Sequence, residues 1–142
     1  MYRNVLVPVD LSDKHSWRKA LPTAVSLCGT FEARLHLIAV VPEFGPPMVG
    51  QLLPEGFETR LRQQAAKQLR DFAAQQVPSE IESRRIVAEG KIYHEILKAA
   101  EAIKADLIIM GSHRPELTEY LLGPNADKVV RHAKCSVMVV RE

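Results

Sequence analysis

The chain alternates between short runs that are apolar at nearly every position and longer segments whose apolar residues recur at helical spacing. Runs of the first kind predict strands that are covered on both faces, as in a parallel sheet. The run at residues 81–90 carries more charge, which predicts a partly exposed strand. The five predicted strands lie at residues 4–10, 33–41, 81–90, 105–111 and 136–140.

Helical spacing predicts a helix after each of the first four strands. The first helix is expected to begin at a cap supplied by Ser12 or Asp13 and to end at Gly29. Pro22 is expected to kink this helix or to shift its start. Its apolar face consists of Trp17, Ala20, Leu21, Ala24, Leu27 and Cys28. The other three helices are expected at residues 57–72, 92–103 and 125–133.

This alternation predicts one α/β domain over residues 1–142, built on a five-stranded parallel sheet. Right-handed crossovers between parallel strands place helices on both faces of the sheet, so the fold is expected to be doubly wound. The run at residues 105–111 is the most apolar, and we expect it at the centre of the sheet.

Composition is that of an ordinary globular protein, with 46% hydrophobic and 25% charged residues. The net charge of +2 comes without a basic block, which argues against nucleic-acid binding. Cys28 and Cys135 are expected to be buried, reduced thiols, because their spacing fits neither a zinc site nor a redox motif. With no signal-peptide pattern and no apolar run long enough to span a membrane, we expect a cytoplasmic protein.

The strand ends are the natural place to look for a ligand site, because doubly wound sheets bind ligands beyond the carboxyl ends of their strands. After the fourth strand the chain passes from Gly111 through a polar loop to Gly123, which opens a helix. A helix N-terminus attracts anions, and glycine allows close approach of the backbone. The stretch therefore predicts a phosphate cradle, with a plain strand-to-helix connection as the alternative. Asp10, at the first strand end, could accept hydrogen bonds from ribose or merely cap the next helix.

Three segments, "NVLVPVD", "ADLIIMGSHR" and "LLGPNADKVVRHAKCSVMVVR", resemble the universal stress protein family. The resemblance covers the whole chain. It implies a Rossmann-like, nucleotide-binding α-hydrolase-like architecture and binding of ATP, with AMP or ADP as alternative ligands and Mg²⁺ as an accompanying ion. It also implies a homodimer formed through the last strand, Ser136–Val140.

Many members of that family bind ATP through a pattern of glycines, and this chain matches it in part. Gly111 and Gly123 match the first and third glycines, Arg114 stands in place of the second, and Pro124 replaces a serine or threonine. By the same resemblance, Asp10 would hold the ribose. The residues expected around the nucleotide are Pro8, Val9, Asp10, Val40, Met110, Gly111, Ser112, His113, Arg114, Gly123, Pro124, Asn125 and Ala126.

Three functions stay open at this point. The first is a regulatory stress protein that binds ATP. The second is a dimeric interaction module without nucleotide, because Arg114 and Pro124 break the family pattern. The third is a slow ATPase, for which His113 is the nearest candidate base.

Two further expectations concern single features of the chain. The segment at residues 42–54 is either a lid over the site or an irregular connector. His36 is expected to have a solvated or capping role.

Overall fold

The computed structural model describes residues 1–41, 56–112 and 122–141. The predicted alternation of strands and helices is confirmed in these ranges. The segment at residues 42–54, His113 and Arg114 lie outside the described residues, so the lid and the two loop positions stay predictions. The elements are β1 (Asn4–Pro8), a 3₁₀ turn (Lys14–Ser16), α1 (Ala20–Phe31), β2 (Arg34–Val41), α2 (Phe57–Gln76), β3 (Ser83–Glu89), α3 (Ile92–Ile103), β4 (Leu107–Gly111), α4 (Pro124–His132) and β5 (Ser136–Val140).

The sheet has the strand order β3-β2-β1-β4-β5 in the described ranges, and all neighbouring strands are parallel. Val5 of β1 pairs with Leu35 of β2 on one side and with Leu107 of β4 on the other. The expectation that β4 is the central strand is therefore wrong, since β1 occupies that place. The interior residues of β1 and β4 are equally buried, so the apolar character of the two strands could not show which of them is central in the sheet.

Alternate residues of β1 point into two separate cores. Val5 and Val7 pack with α1 and α2, whereas Leu6 packs with α3 and α4. All three side chains are fully buried, and burial of each contributes about 1.5–3 kcal/mol. The predicted doubly wound sandwich of helices around a parallel sheet is thereby confirmed.

The first helix begins later and ends later than its pattern predicted. Asp13 caps the 3₁₀ turn instead, where its Oδ1 accepts the backbone N–H of His15 at 3.0 Å. Pro22 lies in the first turn of α1, where a missing N–H costs no intrahelical hydrogen bond. Gly29 lies within the helix, which continues until Glu32 adopts a left-handed φ of 56°.

His36 is buried, with 4% of its surface exposed, so the expected solvated or capping role is wrong. Its Nε2 lies 3.1 Å from Oδ1 of Asn4. Burial lowers the pKa of His36, and the positive charges of Arg34 and Arg84 lower it further, against an opposing effect of Glu82. The strand pattern did not reveal this because a polar residue at alternating spacing is ordinarily assigned to an exposed face.

Both cysteines are free thiols. Cys28 is buried, and desolvation raises its pKa to about 11. Cys135 is only partly buried, so the expectation of two buried thiols holds for Cys28 alone. Among the helices of the described ranges, none has the length and apolar character needed to cross a membrane.

Candidate functional site

The strand order reverses between β1 and β4, and a cleft of about 630 Å³ opens beyond the carboxyl ends of these strands. Its volume lies within the range of about 300–1,000 Å³ that is typical of small-molecule sites. Most of the residues that the sequence pointed to come together here. They are Pro8, Val9, Asp10, Val40, Met110, Gly111, Ser112, Gly123, Asn125 and Ala126.

Some expected positions do not line this cleft. Pro124 is the exposed first residue of α4 and is absent from the lining. The end of β3, at residues 88–90, also stays outside, because β3 is an edge strand three places away from β4. The predicted positions that do line the cleft therefore lie at the ends of β1, β2 and β4, or directly after them, and at the start of α4.

Two walls of the cleft were missed by sequence reasoning. The α2 helix contributes Leu61, Gln64, Ala65 and Gln68 from its second to fourth turns, and α3 contributes Ile92 and Ile96. A helical pattern tells which residues share a face of the helix, but not which strand ends that face will lie beside. The available signal was the pair Gln64 and Gln68, four residues apart beside the apolar Leu61 and Ala65.

The loop after β1 is tied together by the side chains of two serines. Asp13 donates its N–H to the carbonyl of Asp10 at 3.0 Å, which closes a turn. Oδ1 of Asp10 accepts both the N–H of Ser12 at 3.0 Å and the hydroxyl of Ser12 at 2.7 Å. The Ser16 hydroxyl accepts the N–H of Asp10 at 2.8 Å and donates to the carbonyl of Asp13 at 2.8 Å. The carboxylate of Asp10 is exposed and lines the cleft.

Gly111 lies against the 3₁₀ turn that follows this loop. A Cβ on Gly111 would lie 2.8 Å from the carbonyl oxygen of His15 and 3.1 Å from that of Ser16. The next residue, Ser112, donates its N–H to the carbonyl of Val140 at 3.2 Å, so this group is engaged in pairing with β5. The structure thus gives Gly111 a packing requirement that the glycine pattern alone did not indicate.

The start of α4 presents backbone donors to the cleft. The N–H of Asp127 donates to the carbonyl of Gly123 at 2.9 Å and is the first such bond of the helix. The N–H groups of Asn125 and Ala126 precede it, and by helix geometry they have no intrahelical acceptor. The carboxylate of Asp127 lies 3.3 Å from Nε of Arg131, which offsets its negative charge near this end of the helix.

The cleft therefore combines three chemical features. A carboxylate acceptor lies at the end of β1, backbone donors lie at the start of α4, and apolar side chains form much of the remaining lining. In the described ranges no three histidine, cysteine or acidic side chains lie together as metal ligands.

The universal stress protein family model matches residues 1–141 of the chain. The chain belongs to the universal stress protein family. Over 143 residues it is 29% identical to Universal stress protein G of Escherichia coli O157:H7, covering 99% of this chain and 100% of that relative.

Solved structures of the family share the fold. Universal stress protein UspA from Lactobacillus plantarum superposes with a TM-score of 0.72 at 28% identity, covering 99% of this chain and 98% of that one. A universal stress protein in complex with cAMP superposes with a TM-score of 0.64 at 20% identity, covering 99% and 97% of the two chains.

Proposed function

We propose that this universal stress protein binds ATP, with AMP or ADP as alternative ligands, in the cleft between β1 and β4. The observation that carries the proposal is the placement of Asp10 and the start of α4 on the lining of one cleft. Ligands of doubly wound sheets bind at this switch point. A nucleotide offers the two polar groups that these two features complement, hydroxyls for the carboxylate and phosphates for the helix N-terminus.

The chemistry of the lining suggests how the nucleotide would be held. The adenine would pack near Val9 and Val40 at the ends of neighbouring strands, which are partly covered by the apolar side chains of α2 and α3. The ribose hydroxyls would donate to the Asp10 carboxylate. The phosphates would accept from the N–H groups of Asn125 and Ala126, where the partial positive charge of the helix also favours an anion.

A solved relative supports an adenine nucleotide in particular. The universal stress protein with a TM-score of 0.64 was solved in complex with cAMP. The two chains share the fold over 99% of the present chain, so a protein of this fold that binds an adenine nucleotide is already known. Mg²⁺ would accompany the phosphates as their counter-ion. The candidate base for hydrolysis, His113, lies outside the described residues, so slow hydrolysis of ATP stays a prediction from the sequence.

We further propose a homodimer formed through β5. This strand is an edge of the sheet, and Met138 is 37% exposed on it. An apolar edge strand is prone to pair with another chain. A second copy of β5 would cover it, as the family resemblance implies. The cytoplasmic location expected from the sequence stays a prediction.

Calorimetric titration with Mg-ATP tests the nucleotide site. Asp10→Ala removes the proposed ribose acceptor, and Gly123→Val adds a side chain at the start of α4. The backbone of Gly123, with φ −59° and ψ 154°, lies outside the left-handed region, so the added bulk is the main effect. Each variant is expected to weaken binding by about tenfold or more.

Matched controls separate a local effect from damage to the fold. Asp71→Ala removes an exposed carboxylate on α2, and Gly29→Val adds the same side chain on the exposed surface of α1. Neither position lines the cleft. Both controls are expected to bind Mg-ATP with the wild-type affinity. If Asp10→Ala and Gly123→Val also retained that affinity, the proposed site would be wrong.

A further inference from the structure

We infer that Ser12 and Ser16 are positioning residues, which hold Asp10 so that its carboxylate can accept the ribose hydroxyls of a bound nucleotide. The inference rests on the proposed function and adds two residues to it. Both serines line the cleft together with Asp10. In this role they act on the ligand through Asp10.

Ser16 fixes the backbone of the loop that carries Asp10. Its hydroxyl accepts the N–H of Asp10 and donates to the carbonyl of Asp13, each at 2.8 Å. Because Asp13 also donates its N–H to the carbonyl of Asp10 at 3.0 Å, one hydroxyl ties together the two ends of the turn. The hydroxyl also lies 3.2 Å from the carbonyl oxygen of Asp10, so its single proton is shared between the carbonyls of Asp10 and Asp13 while its oxygen accepts the N–H of Asp10.

Ser12 fixes the side chain of Asp10. Its N–H and its hydroxyl both donate to Oδ1 of Asp10, at 3.0 Å and 2.7 Å. Two donors on Oδ1 restrict the rotation of the carboxylate, and neither of them occupies Oδ2, the oxygen that would accept from a ligand. Without these two bonds, the exposed carboxylate would sample several rotamers, and ligand binding would then cost the conformational entropy of the side chain. The two serines therefore pre-organise the acceptor.

The turn is also supported by the end of β4. The carbonyl of Ser16 would lie 3.1 Å from a Cβ on Gly111, so Ser16 packs directly on the end of β4. The loop is thus held both by its own hydrogen bonds and by a rigid strand of the sheet. An acceptor on such a support can discriminate a ligand with ribose hydroxyls from one without them.

The test compares ATP with dideoxy-ATP, which lacks both ribose hydroxyls, by calorimetric titration of the full chain. The variants are Ser16→Ala and Ser12→Ala, with Ser16→Thr as the conservative variant that keeps the hydroxyl. Thr30→Ala is the control, because the Thr30 hydroxyl donates to the carbonyl of Ser26 at 3.1 Å on the exposed surface of α1. Thermal unfolding of each variant reports on the fold separately.

The two alanine variants are expected to weaken ATP binding by about three- to tenfold, the effect of one lost hydrogen bond. Their effect on dideoxy-ATP is expected to stay below about twofold, since the ligand group that Asp10 serves is missing. Ser16→Thr and Thr30→Ala are expected to bind both nucleotides as the wild type does. If Ser16→Ala does not fold, the exposed Ser12→Ala carries the same comparison.

Equal losses for ATP and dideoxy-ATP in both alanine variants would overturn the positioning role while leaving nucleotide binding intact. Wild-type affinities for both nucleotides in both variants would overturn it as well. A wild-type chain that binds neither nucleotide would overturn the proposed function, and the positioning role with it. The failure of the inference and the failure of the proposed function are therefore distinct results.

Discussion

The end of β4 packs against the 3₁₀ turn, and a Cβ on Gly111 would lie 2.8 Å from the carbonyl oxygen of His15. Side chains do not tolerate so short a contact with a backbone oxygen. Among the described residues, Gly111 is not one of those with a positive φ. Glycine is therefore required here by the lack of space for a side chain, and not by the backbone conformation. The lack of a side chain on Gly111 therefore allows the 3₁₀ turn to pack directly against the end of β4, next to Asp10.

Gly111→Ala should therefore displace the 3₁₀ turn or strain β4. We expect it to lower the free energy of unfolding by about 1–3 kcal/mol, as over-packing does, and to weaken Mg-ATP binding. Thermal unfolding and calorimetric titration measure the two effects. Gly29→Ala is the control, since its Cβ would lie 3.8 Å from the nearest atom, Cδ1 of Ile81, and alanine favours a helix. If Gly111→Ala kept the wild-type stability and affinity, the 3₁₀ turn would be able to move away from the new Cβ with no loss of free energy, and the prediction would be wrong.

The buried His36 should make stability depend on pH. Its pKa is lowered in the folded protein, so the unfolded chain takes up a proton at higher pH than the native chain does. The stabilising effect of a neutral His36 is fully present above the ordinary pKa of about 6.5 and is lost as pH falls below it. Each unit of the pKa difference corresponds to about 1.4 kcal/mol.

Urea unfolding between about pH 8 and pH 5 measures this dependence. His36→Gln keeps a group that can donate to Asn4 but does not titrate, so its stability should fall less over this range. His94→Gln, which replaces an exposed histidine of α3, should follow the wild type. A wild-type curve that coincides with that of His36→Gln would refute a role of His36 in acid sensitivity.

Much of the fold follows from local patterns. The bounds of β5 agree with its apolar run, and α2 begins at Phe57 as its spacing predicted. Asp10 and Gly123 could be chosen as site residues because strand ends and helix starts meet in a doubly wound sheet. These features depend on residues that are close together in the sequence, so the sequence of one chain is enough to predict them.

Other features depend on contacts between distant segments, which local patterns do not carry. The burial of His36 requires that both faces of β2 be covered. The packing of Gly111 on the carbonyl of His15 joins residues far apart in the chain. Gln64 and Gln68 line the cleft because of the way α2 packs against the sheet, which is a contact between distant segments.

Met138→Lys should prevent the proposed pairing of β5 with its copy. A lysine at this exposed position adds like charges across the interface and leaves the core of each chain intact. Sedimentation velocity is expected to show a dimer for the wild type and a monomer for the variant. Ala74→Lys places the same charge on the exposed surface of α2 and should remain dimeric. A wild-type monomer at micromolar concentration would refute the proposed dimer.

Cys28 should resist alkylation in the native protein. Desolvation raises its pKa to about 11, so the Cys28 thiol is almost entirely protonated at pH 8, and the thiolate is the reactive form. Mass spectrometry after treatment with iodoacetamide measures the labelling of Cys28, with the protein in urea as the reference. Native labelling of Cys28 as fast as in urea would show that the core around it opens readily.

Nucleotide binding is tested most directly by identifying what the freshly purified protein carries and what the stripped protein binds. Chromatography of the denatured protein identifies any released nucleotide, and calorimetry measures the Kd of Mg-ATP for the stripped chain. We predict either a stoichiometric adenine nucleotide or a micromolar Kd, about −8 kcal/mol at 1 μM. A protein that releases no nucleotide and gives no heat with Mg-ATP, AMP or ADP would show that the cleft between Asp10 and Gly123 does not serve as a nucleotide site.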